Sequence, residues 1–315
     1  MKKLSVFFLL FAFCLTIACN RGQKQDAASG PRVALVLKTL NNPFFIDMQR
    51  GAEEAAKRLG VNLIVQAAER DSDVEKQMQI IENLIQTDLQ ALCVTPSGSK
   101  EIIPALAKAA ERNIPILIVD TRLDSAAAAE AGVRIKTFIG SDNFEGGRIA
   151  GEHIAALFGG NAKVAVLEGV PGHETNESRL RGFHAAIAQA ADVEVVVSQT
   201  ANFERDQGFN VFQNILQAHP NVDALFCCND MMALGAIEAI AAAGRTGRIK
   251  VVGFDAVEDA RRAIAAGTLT ASVAQFPEEM GKMAVESAAK VINGGTLPLY
   301  LPVKIELIKK KNAAM

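Results

Sequence analysis

From Val33 onward, short and almost wholly apolar runs alternate with longer segments whose apolar residues recur every three or four positions. The runs VALVL, NLIV, ALCVT and ILIVD in the first half read as strands, as do KVAVLE, VEVVVS, DALFCC and KVVGF in the second. An unbroken apolar run is the signature of a strand covered on both faces. The intervening segments read as helices. Over Pro43–Leu59, Asn42 suits the cap, Pro43 the first turn and Gly60 the end. Phe45, Met48, Ala52, Ala55 and Leu59 share one face of it. A second helix carries Val74, Met78, Ile81 and Ile85 on a stripe. Further helices are expected near Ser178–Ala190, Asp206–Ala218, Asp230–Ala243 and Ala256–Ala266, with Asp230 capping the third of these. Strands alternating with helices give parallel sheets clothed on both sides. Two such halves predict an α/β protein of two doubly wound parallel-sheet lobes.

Length supports two lobes, because 315 residues exceed what one small core needs. The net charge of −2 provides no basic footprint for nucleic acid. The opening MKKLSVFFLLFAFCLTIAC has two lysines, an apolar run and a small residue before a cysteine, the layout of an export signal over 1–18. Leu15-Thr16-Ile17-Ala18-Cys19 resembles a bacterial lipobox, which predicts cleavage before Cys19 and a lipid on its sulfur. Residues 19–30 then form a polar, aperiodic tether. The expected location is periplasmic or at the cell surface, held to the membrane through Cys19. The remaining cysteines, Cys93, Cys227 and Cys228, lie within apolar runs and read as buried small hydrophobes. Neither a disulfide framework nor metal-type spacing is present, and no metal or cofactor is predicted.

In open parallel sheets, ligands bind beyond the carboxyl ends of the strands. The polar and aromatic residues cluster there. Lys38 and Asn42 follow VALVL, with Phe44 and Phe45 just beyond; Thr95 ends ALCVT and Asp120 ends ILIVD. In the second half, His173 and Arg179 follow KVAVLEG, Phe203 follows VEVVVSQTA, Asn229 follows DALFCC, Asp255 follows KVVGF and Gln275 ends TASVAQ. This set suits a sugar. Hydroxyls both donate and accept, so amides, acids and a guanidinium can fix several at once. Benzyl rings can cover the C–H face of a pyranose without consuming hydrogen bonds.

The segments LVLKTLNNPFF, VDTR, GSDNFEGGRIAG, NDMMALGA, VVGFDA and SVAQFPE, in that order, resemble the bacterial periplasmic ribose-binding protein group over nearly the whole mature chain. The resemblance implies the type I periplasmic binding fold, with lobes joined by a three-crossing hinge. One lobe would hold 31–141 plus 276–302 and the other 142–275 plus 303–315. It also implies a monosaccharide ligand, partner ABC importer membrane and ATPase subunits, and a monomer. Residue by residue, it implies sugar contacts at Asn42, Phe44, Phe45, Asp120, Arg179, Phe203, Asn229, Asp255 and Gln275, a hinge serine at Ser141, and an aromatic at Phe254 beside the acid. Three positions depart from the ribose pattern: Lys38 replaces a serine, Thr95 an asparagine and Thr121 an arginine. VLKTL is instead similar to the allose-binding protein, and GHETNESR places His173 as in the galactose/glucose-binding protein. The departures predict a ribose/allose-like aldose other than ribose itself.

Three rival functions compete. An enzyme would use Asp120, Asp255 and His173 on glycosides. The set is instead rich in hydroxyl-holding amides and shows no nucleophile motif or phosphate loop, so no catalysis is predicted. A sugar-responsive regulator would need a helix-turn-helix before Val33, where the export signal and tether stand. A sensor presenting sugar to a chemoreceptor or sensor kinase would bind the same ligand and is the alternative reading.

Overall fold

A computed structural model of the chain describes residues 30–190 and 192–313. The export signal, Cys19 and nearly all of the tether lie outside the described residues. Along the chain run β1 (Arg32–Thr39), β2 (Asn62–Ala68), β3 (Ala91–Val94), β4 (Ile116–Val119) and β5 (Ile135–Gly140). They are followed by β6 (Asn161–Glu168), β7 (Asp192–Thr200), β8 (Ala224–Cys227), β9 (Lys250–Asp255) and β10 (Ala271–Ala274), then β11 (Tyr300–Pro302) and β12 (Glu306–Lys309). The helices are α1 (Pro43–Leu59), α2 (Val74–Leu84), α3 (Ile103–Glu111), α4 (Ser125–Glu130), α5 (Asn143–Leu157), α6 (Glu174–Ile187), α7 (Arg205–Ala218), α8 (Asp230–Ala242), α9 (Glu258–Ala266) and α10 (Pro277–Ile292).

The strands form two sheets, ordered β11-β5-β4-β3-β1-β2 and β12-β10-β9-β8-β6-β7. All pairs are parallel except β10 with β12. The chain therefore passes between sheets three times: from β5 to β6, from β10 to β11 and from β11 to β12. Each sheet has helices on both faces, giving two doubly wound lobes. The central strands β3, β4, β8 and β10 are buried at every residue, which is why their sequences are apolar throughout.

Helix α1 matches its expected bounds. Asn42 accepts from the Phe44 N–H, and Gly60 closes the helix in the left-handed region at φ 67°. Leu59, expected on the buried face, is exposed instead. Helix α2 buries Gln77, Ile80, Ile81 and Leu84; of the expected stripe Ile81 and Ile85 are buried but Val74 and Met78 only half-buried, so the buried face is shifted towards Gln77. Polar anchoring rotates it: the Gln77 amide donates to the carbonyls of Leu37 and Thr95 and accepts from the Ser97 N–H. The cap of α8 is Asn229, which accepts from the Met232 N–H, and not Asp230. Asp230 is fully buried and accepts from the Val257 N–H and the Ser272 hydroxyl. Helix α6 starts at Glu174, four residues earlier than periodicity suggests, so Arg179 rises from its second turn.

Close helix contact fixes where Arg179 stands. A Cβ on Gly147 of α5 would lie 2.0 Å from the Arg179 carbonyl oxygen, and one on Gly182 of α6 would lie 1.9 Å from that of Phe144. Only hydrogen side chains let these two backbones approach so far.

Candidate functional site

The carboxyl ends of both sheets face one small cavity. From the first lobe comes Lys38, the last residue but one of β1, which is buried and whose ammonium lies 3.4 Å from the Asp120 carboxylate. Asp120 follows β4 in a tight turn: its own N–H donates to Ile139 O, and the next N–H, of Thr121, folds back to Val119 O. This holds Asp120 at φ 64°. The Thr121 hydroxyl donates to the Asp120 carboxylate at 2.8 Å. Phe44 and Phe45, at the start of α1, meet edge to face with centroids 5.2 Å apart. Periodicity alone would send one of them to the core and the other elsewhere. Both are buried, and both line the cavity.

From the second lobe comes a denser network. The Arg179 guanidinium donates to the Asn143 amide oxygen at 2.8 Å and the Cys228 carbonyl at 2.5 Å, and lies over the Phe254 ring at 3.8 Å. Asp255 stands 3.9 Å from the same guanidinium and accepts from the Gln275 amide at 2.7 Å. Asn229 donates to the Phe203 carbonyl while its oxygen caps α8. Phe203 takes φ 65°, and its ring fits only because residue 169 is glycine, where a Cβ would lie 2.0 Å from the ring. Asp120, Phe203 and Asp255, at φ 64°, 65° and 111°, are all non-glycine residues with positive φ. Each such conformation costs about 1–3 kcal/mol, and it is kept where neighbours over-determine it, as at ligand clamps.

Lys38, Asn42, Phe44, Phe45, Asp120, Arg179, Phe203, Asn229, Asp255 and Gln275 line a tight cavity of about 20 Å³. That is room for about one water, far below the range of about 300–1,000 Å³ usual for small-molecule sites, so a ligand can be admitted only if the lining parts. A roomier hollow lies between α1, α9 and α10, but exposed charges such as Arg50, Glu54, Glu258 and Glu278 rim it. Among the described residues, only the cavity at the strand ends draws buried amides, acids and cations together from both lobes. Burial raises the Asp255 carboxyl to about 7, against the pull of Arg179 and the Gln275 hydrogen bond.

Residues 33–296 match the profile described as the periplasmic binding protein domain. The chain belongs to the periplasmic binding protein family. It is 39% identical to the ribose import binding protein RbsB of Bacillus subtilis strain 168, over 98% of this chain and 99% of that one. It is 35% identical to the D-allose-binding periplasmic protein of Escherichia coli strain K12, over 90% of this chain and 92% of that one. Among solved structures, an ABC transporter periplasmic solute-binding protein of Actinobacillus succinogenes with bound D-allose superposes with a TM-score of 0.84 at 38% identity, covering 90% of this chain and 99% of that chain.

Within this periplasmic binding protein, three expected site residues stand behind the cavity lining. Phe254 lies beneath the Arg179 guanidinium and supports it. Ser141 is buried where the chain leaves the first sheet, and its hydroxyl has no partner among the described residues. His173 is buried with its centroid 6.2 Å from that of Phe203. Burial, then the Lys38 charge, lowers its imidazole to about 3, so it is neutral here. Thr95 turns its hydroxyl to the Val36 carbonyl instead of the cavity. Two lining residues, Asp71 and Thr175, escaped the sequence reading. Thr175 lies between His173 and Arg179, and the early start of α6 turns it inward. Asp71 lies beyond the carboxyl end of β2, the same kind of position as Asp120, and the strand-end rule applied to that loop would have found it. The lobes also touch beside the cavity, where the Glu174 N–H donates to the Ser99 hydroxyl at 3.0 Å.

Proposed function

We propose that this protein captures a neutral monosaccharide between its lobes outside the cytoplasm and delivers it to the membrane and ATPase subunits of an ABC importer. The observation that carries this is the convergence of Asn42, Asp120, Arg179, Asn229, Asp255 and Gln275 on one cavity that Phe44, Phe45 and Phe203 also line. Amides and acids match hydroxyls, and the rings cover carbon faces. Relatives named for ribose and allose import support the same class of ligand.

The lobes divide at about 141, 275 and 302, with Ser141 and Gln275 beside the crossings. A sugar touching both lobes favours the closed form by its differential affinity for that form, which is a population shift. A cavity that pairs every hydroxyl rejects epimers, because a mismatched group is buried unsatisfied at about 1–3 kcal/mol. Lys38, in place of a serine, favours an allose-like aldose over ribose. The mature protein acts as a monomer, held to the membrane by lipid on Cys19.

Calorimetry of the soluble form lacking residues 1–19, against pentoses, hexoses and polyols, tests this. One or a few neutral sugars should bind tightly and their epimers weakly. Failure of every sugar and polyol to bind would refute it.

A further inference from the structure

The cavity holds two cations, Lys38 and Arg179, and three acids, Asp71, Asp120 and Asp255. Lys38 lies 3.4 Å from Asp120, and Arg179 lies 3.9 Å from Asp255. Asp71 is the acid left over: among the described residues no ion pair or side-chain hydrogen bond engages its carboxylate. Its backbone is held firmly. The Arg70 N–H donates to the Asp73 carboxylate at 2.9 Å, and the Asp73 N–H returns to the Arg70 carbonyl at 3.2 Å. The Thr39 hydroxyl and the Asn41 amide both donate to Glu69 O, which ties this loop to the end of β1. The Asp71 side chain, only 5% exposed, faces the cavity.

Burial dominates the environment of this carboxyl, with Lys38 the largest opposing influence and Glu204, on the other lobe, adding to the repulsion. A structural carboxylate at such a place would carry a cap, an ion pair or a backbone hydrogen bond, because burying it unpaired is costly. Asp71 is therefore not explained by the fold. An acceptor without a donor, on a rigid turn, facing a ligand cavity, is explained by a donor that arrives with the ligand.

We propose that Asp71 is a specificity-determining residue, accepting a hydrogen bond from a ligand hydroxyl at the first lobe's end of the cavity. It selects neutral sugars bearing that hydroxyl over their deoxy counterparts and over sugar acids. The inference rests on the monosaccharide reading above and deepens it. The sugar acid is disfavoured because its carboxylate would meet a cavity in which acids already outnumber cations.

The test is calorimetry of wild type, Asp71→Asn and Asp71→Ala in the soluble chain. The probes are the neutral sugar that wild type binds most tightly, its monodeoxy analogues one at a time, and its uronic acid. Asp71→Ala should bind the parent sugar about 10–100-fold more weakly, the range for a hydrogen bond to a charged group. For one deoxy analogue, wild type and Asp71→Ala should bind equally, which identifies the hydroxyl. The discrimination against the uronic acid should narrow in Asp71→Asn. The ligand-free thermal midpoint of both variants should equal or exceed that of wild type, whereas loss of a structural residue would lower it. If wild type binds no sugar, the monosaccharide reading fails. If wild type binds and Asp71→Ala matches it within twofold, or if every deoxy analogue weakens both proteins alike, that reading stands and Asp71 is not a determinant. Should Asp71→Ala fail to fold, the isosteric Asp71→Asn decides by the same comparisons.

Discussion

The two halves of the cavity are built to different standards of rigidity. In the second lobe, Arg179 is gripped by Asn143, the Cys228 carbonyl and the Phe254 face, and Asp255 is gripped by Gln275. Asn229 is bonded through both ends of its amide. In the first lobe, Lys38 has one carboxylate at 3.4 Å and a distant ring at 5.7 Å, and the Asp71 carboxylate has no hydrogen bond or ion pair among the described residues. The positions that depart from the ribose pattern, Lys38, Thr95 and Thr121, also fall in that first lobe. The difference separates two tasks. A pre-organised half supplies hydrogen bonds that any aldose can use at little ordering cost. A half with unspent hydrogen-bonding capacity decides which aldose.

Breaking the rigid half should therefore cost every sugar alike. Arg179→Ala should weaken all ligands by about a thousandfold, since truncating one partner of a buried charge pair costs about 2–5 kcal/mol or more. It also leaves Asp255 facing no cation and the Asn143 oxygen without its donor, so thermal stability should fall. Calorimetry across the sugar panel, beside a melting curve showing that the variant still unfolds cooperatively, checks this. Selective loss for one sugar would erase the distinction between the halves.

The rigid half also carries a proton-linked group. With the lobes in contact, as here, His173 is held near 3 by burial and by Lys38. An exposed imidazole titrates near 6.5, so in the opened protein His173 gains a proton below that pH and must shed it on closing. Acidification from pH 7 to 5 therefore weakens sugar binding through His173 alone, by a share reaching about thirtyfold at pH 5. Asp71 and Asp255 act in the opposite sense. Burial lifts each to about 7, so they take up protons on closing between the ordinary carboxylate range and 7. His173→Asn isolates the histidine. Its affinity relative to wild type should rise as pH falls, and a ratio constant from pH 7 to 5 would show that His173 is never exposed to solvent.

Much of this was legible in the residues. Continuous apolar runs gave the parallel strands, and Asn42, Pro43 and Gly60 bounded α1 because caps act locally. The strand-end rule, joined to the family resemblance, picked out ten of the residues that the structure brings around the cavity. What escaped depends on distant partners. Gln77 turns α2 by bonding two carbonyls and an N–H on other elements, and Asp230 is drawn from its expected cap by Val257 and Ser272. Phe254 looks like a ligand-facing aromatic until Arg179 is seen lying on it. Whether a polar residue faces a cavity or braces one that does is a property of packing, and local pattern does not encode it.

The finest test of the contrast is Lys38→Ser, which places the ribose-pattern residue in the adaptable half. The ammonium lies beside Asp120, so the substitution removes both a donor to the ligand and the charge that compensates that carboxylate. Asp120 retains the Thr121 hydroxyl, so its orientation should survive. A serine hydroxyl is shorter than a lysine side chain and leaves room that a pentose cannot exploit. The preferred sugar should therefore lose about tenfold in affinity, the worth of a hydrogen bond to a charged group. Ribose should lose less, because it gains little from the lysine in the first place. The quantity to measure is the ratio of the two dissociation constants, in wild type and in variant, in the same buffer at pH 7. A shift of that ratio towards ribose locates selectivity in the first lobe. An equal loss for both sugars would mean that Lys38 merely neutralises Asp120, and the adaptable half would then choose through Asp71 and the phenylalanine pair instead.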